Sequence, residues 1–81
     1  MGTRPRSTKE LGASVRALRR AQGLTQADLA LTSGTNRRFI IELENGKPTC
    51  QLAKALRVLQ TLGGQVEIIP PRGVKLDEEP T

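Results

Sequence analysis

The stretch from Thr25 to Lys47, TQADLALTSGTNRRFIIELENGK, decides the fold. Thr25-Gln26-Ala27-Asp28 is a box-like helix start, with Asp28 in the place where Glu is more usual. The helix it opens is short, from Gln26 to about Thr32, with Leu29 and Ala30 inward. Ser33-Gly34 breaks it, and Gly34 supplies the left-handed conformation that a tight helix–helix turn needs. Thr35 or Asn36 caps the next helix, which runs to about Glu44 with Ile40 and Leu43 inward. Asn45-Gly46-Lys47-Pro48 then stops it. Arg37 and Arg38 stand at its exposed start. A short helix that leads with arginines and packs across a supporting helix suits entry into a DNA major groove.

Working outward toward the N-terminus, Ser7-Thr8-Lys9-Glu10 fits a capping box, with Ser7 as N-cap and Glu10 reaching back. Leu11, Val15 and Leu18 recur at helical spacing, so a first helix runs to about Gln22 and ends at Gly23. Residues 1–6 read as a loose basic arm. Toward the C-terminus, Thr49 is placed to cap a fourth helix with Leu52, Leu56, Leu59 and Leu62 as its apolar stripe, ended by Gly63-Gly64. The period then changes. In QVEII, residues 65–69, Val66 and Ile68 alternate with Gln65 and Glu67, the pattern of a strand. A lone strand leaves its backbone groups unpaired, so pairing with the same strand of a second copy is expected. Pro70-Pro71 ends it, and the remainder reads as a flexible tail.

The chain has 81 residues, enough for one domain with a marginal core, which favours oligomerisation. Its net charge of +5 points to a polyanionic partner. The distribution sharpens this: Arg4, Arg6, Lys9, Arg16, Arg19 and Arg20 crowd the front, whereas Asp77, Glu78 and Glu79 lie near the end. Phe39 is the sole aromatic, so base stacking on aromatic platforms has almost no material. Cys50 is the single cysteine and there is no His, which leaves neither an internal disulfide nor a plausible zinc site. No apolar run approaches membrane-spanning length, and no signal-peptide pattern is present. A cytoplasmic protein is the simple reading. With no paired carboxylates in a plausible cleft, no catalytic constellation, metal or cofactor is expected.

From Leu11 to about Leu62 the chain resembles the lambda-repressor/Cro-like (Xre) helix-turn-helix family. The match needs no gap from Gln26 to Asn45. Small Ala30 stands where the third helix crosses, Gly34 stands in the turn, and Ile40 and Leu43 fill the two buried places. LENGK, residues 43–47, is a hallmark of the family. The extension RFIIELENGKPT, then a Leu-rich helix ending LRVLQTLG, then one alternating strand, looks like HipB-type antitoxins. The resemblance implies a mainly α fold of four helices plus one C-terminal strand that pairs in a homodimer. It divides the chain into a flexible basic arm (1–6), the helix-turn-helix DNA-binding domain (7–64), a dimerisation strand (65–69) with Val66 and Ile68, and a flexible tail (70–81). It also implies roles: Gln26, Asn36, Asn45 and Lys47 on DNA phosphates, Arg37, Arg38 and Glu42 facing bases, and Arg19 with Glu44 as a structural ion pair between the first and third helices.

Elementary chemistry supports the base-facing set. The planar fork of Arg37 or Arg38 can grip guanine O6 and N7. Glu42, one turn beyond Arg38, either accepts from a cytosine amino group or orients Arg38 through an i,i+4 pair; the orienting role is favoured. Phe39 either touches a thymine methyl or covers the edge of the core. Arg16 and Arg20 read as plain surface charge or long-range attraction. Arg4 and Arg6 either reach along the duplex or are disordered. Leu76 sits in a solvated end or a docking tail.

The expectation is therefore a sequence-specific autorepressor of a HipBA-like toxin–antitoxin operon. It would bind a palindromic operator in double-stranded DNA and neutralise a HipA-like kinase toxin by binding it, with no membrane and no small-molecule substrate. Its place would be the bacterial cytoplasm, at the nucleoid. The alternatives are a stand-alone or phage-type repressor with no toxin, and a protein-interaction adaptor that has lost DNA binding.

Overall fold

The computed structural model describes residues 2–77. Four helices follow one another: α1 (Thr8–Ala21), α2 (Gln26–Ser33), α3 (Arg37–Glu44) and α4 (Leu52–Thr61). Their boundaries follow local chemistry. At α1 the Ser7 hydroxyl accepts the Glu10 backbone N–H at 3.0 Å. The Glu10 carboxylate reaches past the cap and takes the Arg6 N–H at 2.8 Å, one residue further back than a standard box. At α2 both halves of the box form, with Asp28 N donating to Thr25 Oγ1 and Thr25 N donating to Asp28 Oδ2, each at 3.0 Å. Gly34 turns the chain with φ +71. Asn36, not Thr35, caps α3, its side chain accepting from Phe39 N at 2.8 Å.

The core is a single cluster centred on Val15, Leu29, Ile40 and Val58, all fully buried. Ala30, Phe39, Leu43, Ala55 and Leu62 complete it. Each helix contributes, and α1 packs on α3 while α2 packs on both α3 and α4. Close approach between α1 and α3 depends on two glycines. Gly12 faces the carbonyls of Leu43 and Glu44 with no room for a side chain. Gly46, at φ +79, turns beneath α1 against Lys9, where Thr8 Oγ1 donates to its carbonyl at 2.9 Å.

Helix α4 differs from the expectation in two ways. Gln51 occupies the N-cap with no side-chain bond, and Thr49 lies in the turn before it. The buried stripe is Ala55, Val58 and Leu62, flanked by half-buried Leu56 and Leu59, while Leu52 is 69% exposed. A stripe read only from the largest residues missed this: the space between α2 and α4 is filled by small and β-branched side chains.

No strand occurs among the described residues. The QVEII segment leaves α4 at Gly63 and runs exposed, with Ile68 at 76%. The expected strand is thus absent from the isolated chain, for a simple reason: a ladder needs a neighbour, and the four helices offer no sheet edge. At the other end the arm makes two exposed hydrogen bonds to α1. Thr3 Oγ1 and Ser14 Oγ lie 2.8 Å apart, so residues 3–6 run back along α1. Of the tail, residues 72–77 are exposed, Leu76 among them, and residues 78–81 lie outside the described residues, with Glu78 and Glu79.

Candidate nucleic-acid interface

The interface is assembled around one buried ion pair. Arg19 of α1 donates through Nε to Glu44 Oε2 at 2.7 Å and through Nη2 to Oε1 at 3.0 Å. Its third nitrogen, Nη1, donates to the Leu24 carbonyl at 2.8 Å. Both residues are 8% exposed. The hydrogen bond to Glu44, with that carboxylate's charge in support, raises the Arg19 pKa against the opposing effect of burial, so the guanidinium stays charged. Glu44 also accepts from Gln26 Nε2 at 3.2 Å. One carboxylate at the end of α3 therefore ties α1 and the first residue of α2 together. Gln26 is half-buried and pre-aligned by this network.

Arg37 and Arg38 are the first two residues of α3, and both are exposed. The first turn of α3 has no acidic residue. Two cations at a helix N-terminus oppose its dipole, a placement that an external anion would offset. Asn36 just before them spends its side-chain oxygen on the cap, which leaves the amide NH2 able to donate to another acceptor.

Glu42 departs from the favoured expectation. Its Oε2 accepts from Lys47 Nζ at 2.8 Å, rather than pairing with Arg38. The left-handed Gly46 turns the chain back so that the Lys47 N–H bonds the Glu42 carbonyl at 3.0 Å, which brings the lysine over the last turn of α3. The Lys47 hydrogen bond holds the Glu42 pKa below the usual carboxylate range, with Arg38 contributing only at longer range. Lys47 is thus held by a carboxylate in the isolated chain, with two further ammonium donors to offer another acceptor. Asn45, the C-cap of α3, is exposed.

Phe39 belongs to the core edge: it is 9% exposed, with Lys54 Nζ 5.9 Å from its ring centroid. Val66 and Ile68 are exposed and far from any burial by their own chain. Sequence reasoning took Arg16 and Arg20 for plain surface charge or long-range attraction. They line one open groove with Gln26 and Arg37, and their i,i+4 spacing beside small Ala13 and Ala17 was the available signal.

Residues 15–69 match the helix-turn-helix family model HTH_3, well over half of the chain. The chain is a member of the helix-turn-helix family. Members are transcriptional regulators that bind DNA, not enzymes. The chain is 46% identical over 71 residues to the uncharacterized HTH-type transcriptional regulator y4mF of Sinorhizobium fredii (strain NBRC 101917 / NGR234), covering 88% of this chain and 93% of that one. Among solved structures it is similar to a HipB chain in complex with the O2 20mer, with a TM-score of 0.80, 24% identity, and coverage of 89% of this chain and 100% of the other. A chain of the HipA–HipB–O2–O3 complex gives 0.78 and 23%, covering 86% and 99%. The restriction-modification controller protein C.AhdI from Aeromonas hydrophila gives 0.65 at 31% identity, covering 72% and 84%. The likeness to the HipB chains is one of fold. No helix among the described residues is long and apolar enough to cross a membrane.

Proposed function

We propose that this helix-turn-helix regulator is the antitoxin and autorepressor of a two-gene toxin–antitoxin operon. It acts as a homodimer on a palindromic operator. The observation that carries the DNA mechanism is the pair of exposed arginines leading α3, held in register with Gln26 by the Arg19–Glu44 network. In this reading Arg37 and Arg38 grip base edges, with Glu42 one turn beyond. Gln26, Asn36, Asn45 and Lys47 fix the register on phosphates. Val66 and Ile68 pair residues 65–69 with the same segment of a second protomer, which supplies the missing ladder and covers exposed apolar side chains. The match of the family model as far as residue 69 supports a structural role for that segment.

The partner reading rests on the likeness to HipB chains across nearly the whole fold, one of them in a complex with HipA. The toxin would be a HipA-like kinase, held by contact alone in the bacterial cytoplasm. It would dock away from α3, on α1, α4 or the tail that carries Leu76. Co-expression with the product of the adjacent gene tests this: a kinase-like protein should co-purify with the full chain and with an Arg37→Ala/Arg38→Ala variant. Loss of the toxin from that double variant, with the fold intact, would show that DNA and toxin compete for α3 and would overturn the docking model. A second reading, a regulator without a toxin partner, draws on the 31% identity to a restriction-modification controller protein, C.AhdI. Absence of a kinase-like neighbouring gene would select it.

A further inference from the structure

We infer that Arg16 and Arg20 of α1, with Arg37 of α3, form a phosphate-binding groove that carries one strand of the DNA backbone; this rests on the DNA-binding reading above. Three observations lead there. Arg16 and Arg20 line an open concavity of roughly 700 Å³ together with Thr25, Gln26, Ala27 and Arg37. The same two arginines line a second concavity, with Lys9, Ala13, Ala17, Glu44 and Asn45. The two concavities share Arg16 and Arg20; taken together as one channel, they are bordered by Lys9, Ala13, Ala17 and Asn45 and by Gln26 and Arg37. Small Ala13 and Ala17 leave room for an extended polyanion.

The charge in this channel is uncompensated. Among the described residues the ion pairs are Arg19–Glu44 and Lys47–Glu42. The one carboxylate bordering the channel, Glu44, is already bonded to Arg19. Arg16, Arg20 and Arg37 are exposed and have no acidic partner among the described residues. Like charges around one concavity repel, so an anion entering it gains from all of them. Gln26 borders one concavity and Asn45 the other, so a backbone lying along Arg16 and Arg20 approaches both.

A phosphate role has a signature that base reading does not. Binding should be measured by fluorescence anisotropy on two probes: a 20-bp duplex enriched from a random library by the wild-type protein, and its scrambled counterpart. Each phosphate that is no longer neutralised should lower the slope of log K against log salt by about 0.9, so the affinity ratio between about 50 and 200 mM salt shrinks about 3.5-fold per phosphate. Arg16→Ala and Arg20→Ala should each show this, with affinity for both duplexes reduced by the same factor. Arg16→Lys and Arg20→Lys should restore most of the slope, because a lysine keeps the charge. An unchanged slope in the alanine variants, with an unchanged melting curve, would overturn the groove while leaving the DNA reading intact. A loss confined to the enriched duplex would also overturn it, since it would make the arginines base readers. A random library from which the wild type enriches no duplex would overturn the DNA reading itself, and the groove with it.

Discussion

Replacing Gly12 with alanine sets helix propensity against packing, and the two predict opposite signs. In an exposed helix the change should stabilise by about 1 kcal/mol, because alanine loses less backbone freedom on folding. Gly12 is buried in the middle of α1, where a methyl would sit 2.6 Å from the Glu44 carbonyl oxygen and closer still to that of Leu43. Both obstacles are backbone, and neither can swing aside. Relief requires α1 to back away from α3 by about 1 Å, which forfeits up to half of the dispersion energy along the contact. It also draws Arg19 away from Glu44. Overpacking of this kind costs up to about 3 kcal/mol, so the net effect is a loss of about 2 kcal/mol, or a fall in Tm of about 8–16 °C for a domain of this size. Urea denaturation followed by far-UV circular dichroism measures it, with an unchanged m-value. Ala13→Gly, at the exposed neighbouring position, supplies the propensity scale and should cost about 1 kcal/mol. A Gly12→Ala protein as stable as wild type, or more so, would refute the close packing of α1 on α3.

Glu44→Gln keeps the volume but leaves the buried Arg19 guanidinium without its anion, and should cost about 3 kcal/mol in the same denaturation assay. Arg19→Met/Glu44→Met should recover most of that loss; a double variant no better than the single would mean that the charge is not the cause. Asp28 titrates below its ordinary 3.8 because the Thr25 backbone N–H and hydroxyl bond its carboxylate. A depressed folded pKa means stability present above about pH 4 and lost as the pH falls through the lower folded value. The stability gap between wild type and Asp28→Ala should therefore narrow from about pH 6 to about pH 2; a gap that stays constant would contradict the box. Ile68→Pro removes a ladder donor and an apolar contact, so sedimentation should find monomer where wild type is dimeric. An unchanged dimer would move the interface elsewhere.

The helix-turn-helix was legible because its signals are local. Thr25 and Asp28 bond each other across one turn, Asn36 caps its own helix, and Gly34 carries its own backbone constraint. Arg37 and Arg38 need only the start of α3 to be placed. What escaped depended on contacts between distant segments. Gly12 reads as an ordinary helix residue until α3 is laid across it. Glu42 has two cations within reach along the chain, and only the turn at Gly46 decides for Lys47 over Arg38. Arg16 and Arg20 look like surface charge on α1 alone; Gln26 and Arg37, from two other helices, make the groove. The stripe of α4 failed for a related reason, since the depth available at Ala55 and Val58 is set by α2. The alternation of residues 65–69 reads as a strand, and the single chain shows none there, since its four helices offer no edge to pair with.

The central claim is that Arg37 and Arg38 read bases while Gln26 holds a phosphate. Its most direct test is the affinity of wild type, Arg37→Ala, Arg38→Ala and Gln26→Ala for a panel of duplexes that vary the enriched site one base pair at a time. Each arginine variant should lose about 1–3 kcal/mol of discrimination at one base pair of each half-site and keep its preference elsewhere. Gln26→Ala should weaken every duplex by nearly the same factor, because phosphate carries no sequence information. Arginine variants that weaken the whole panel uniformly would show that Arg37 and Arg38 hold the backbone, and would contradict the account.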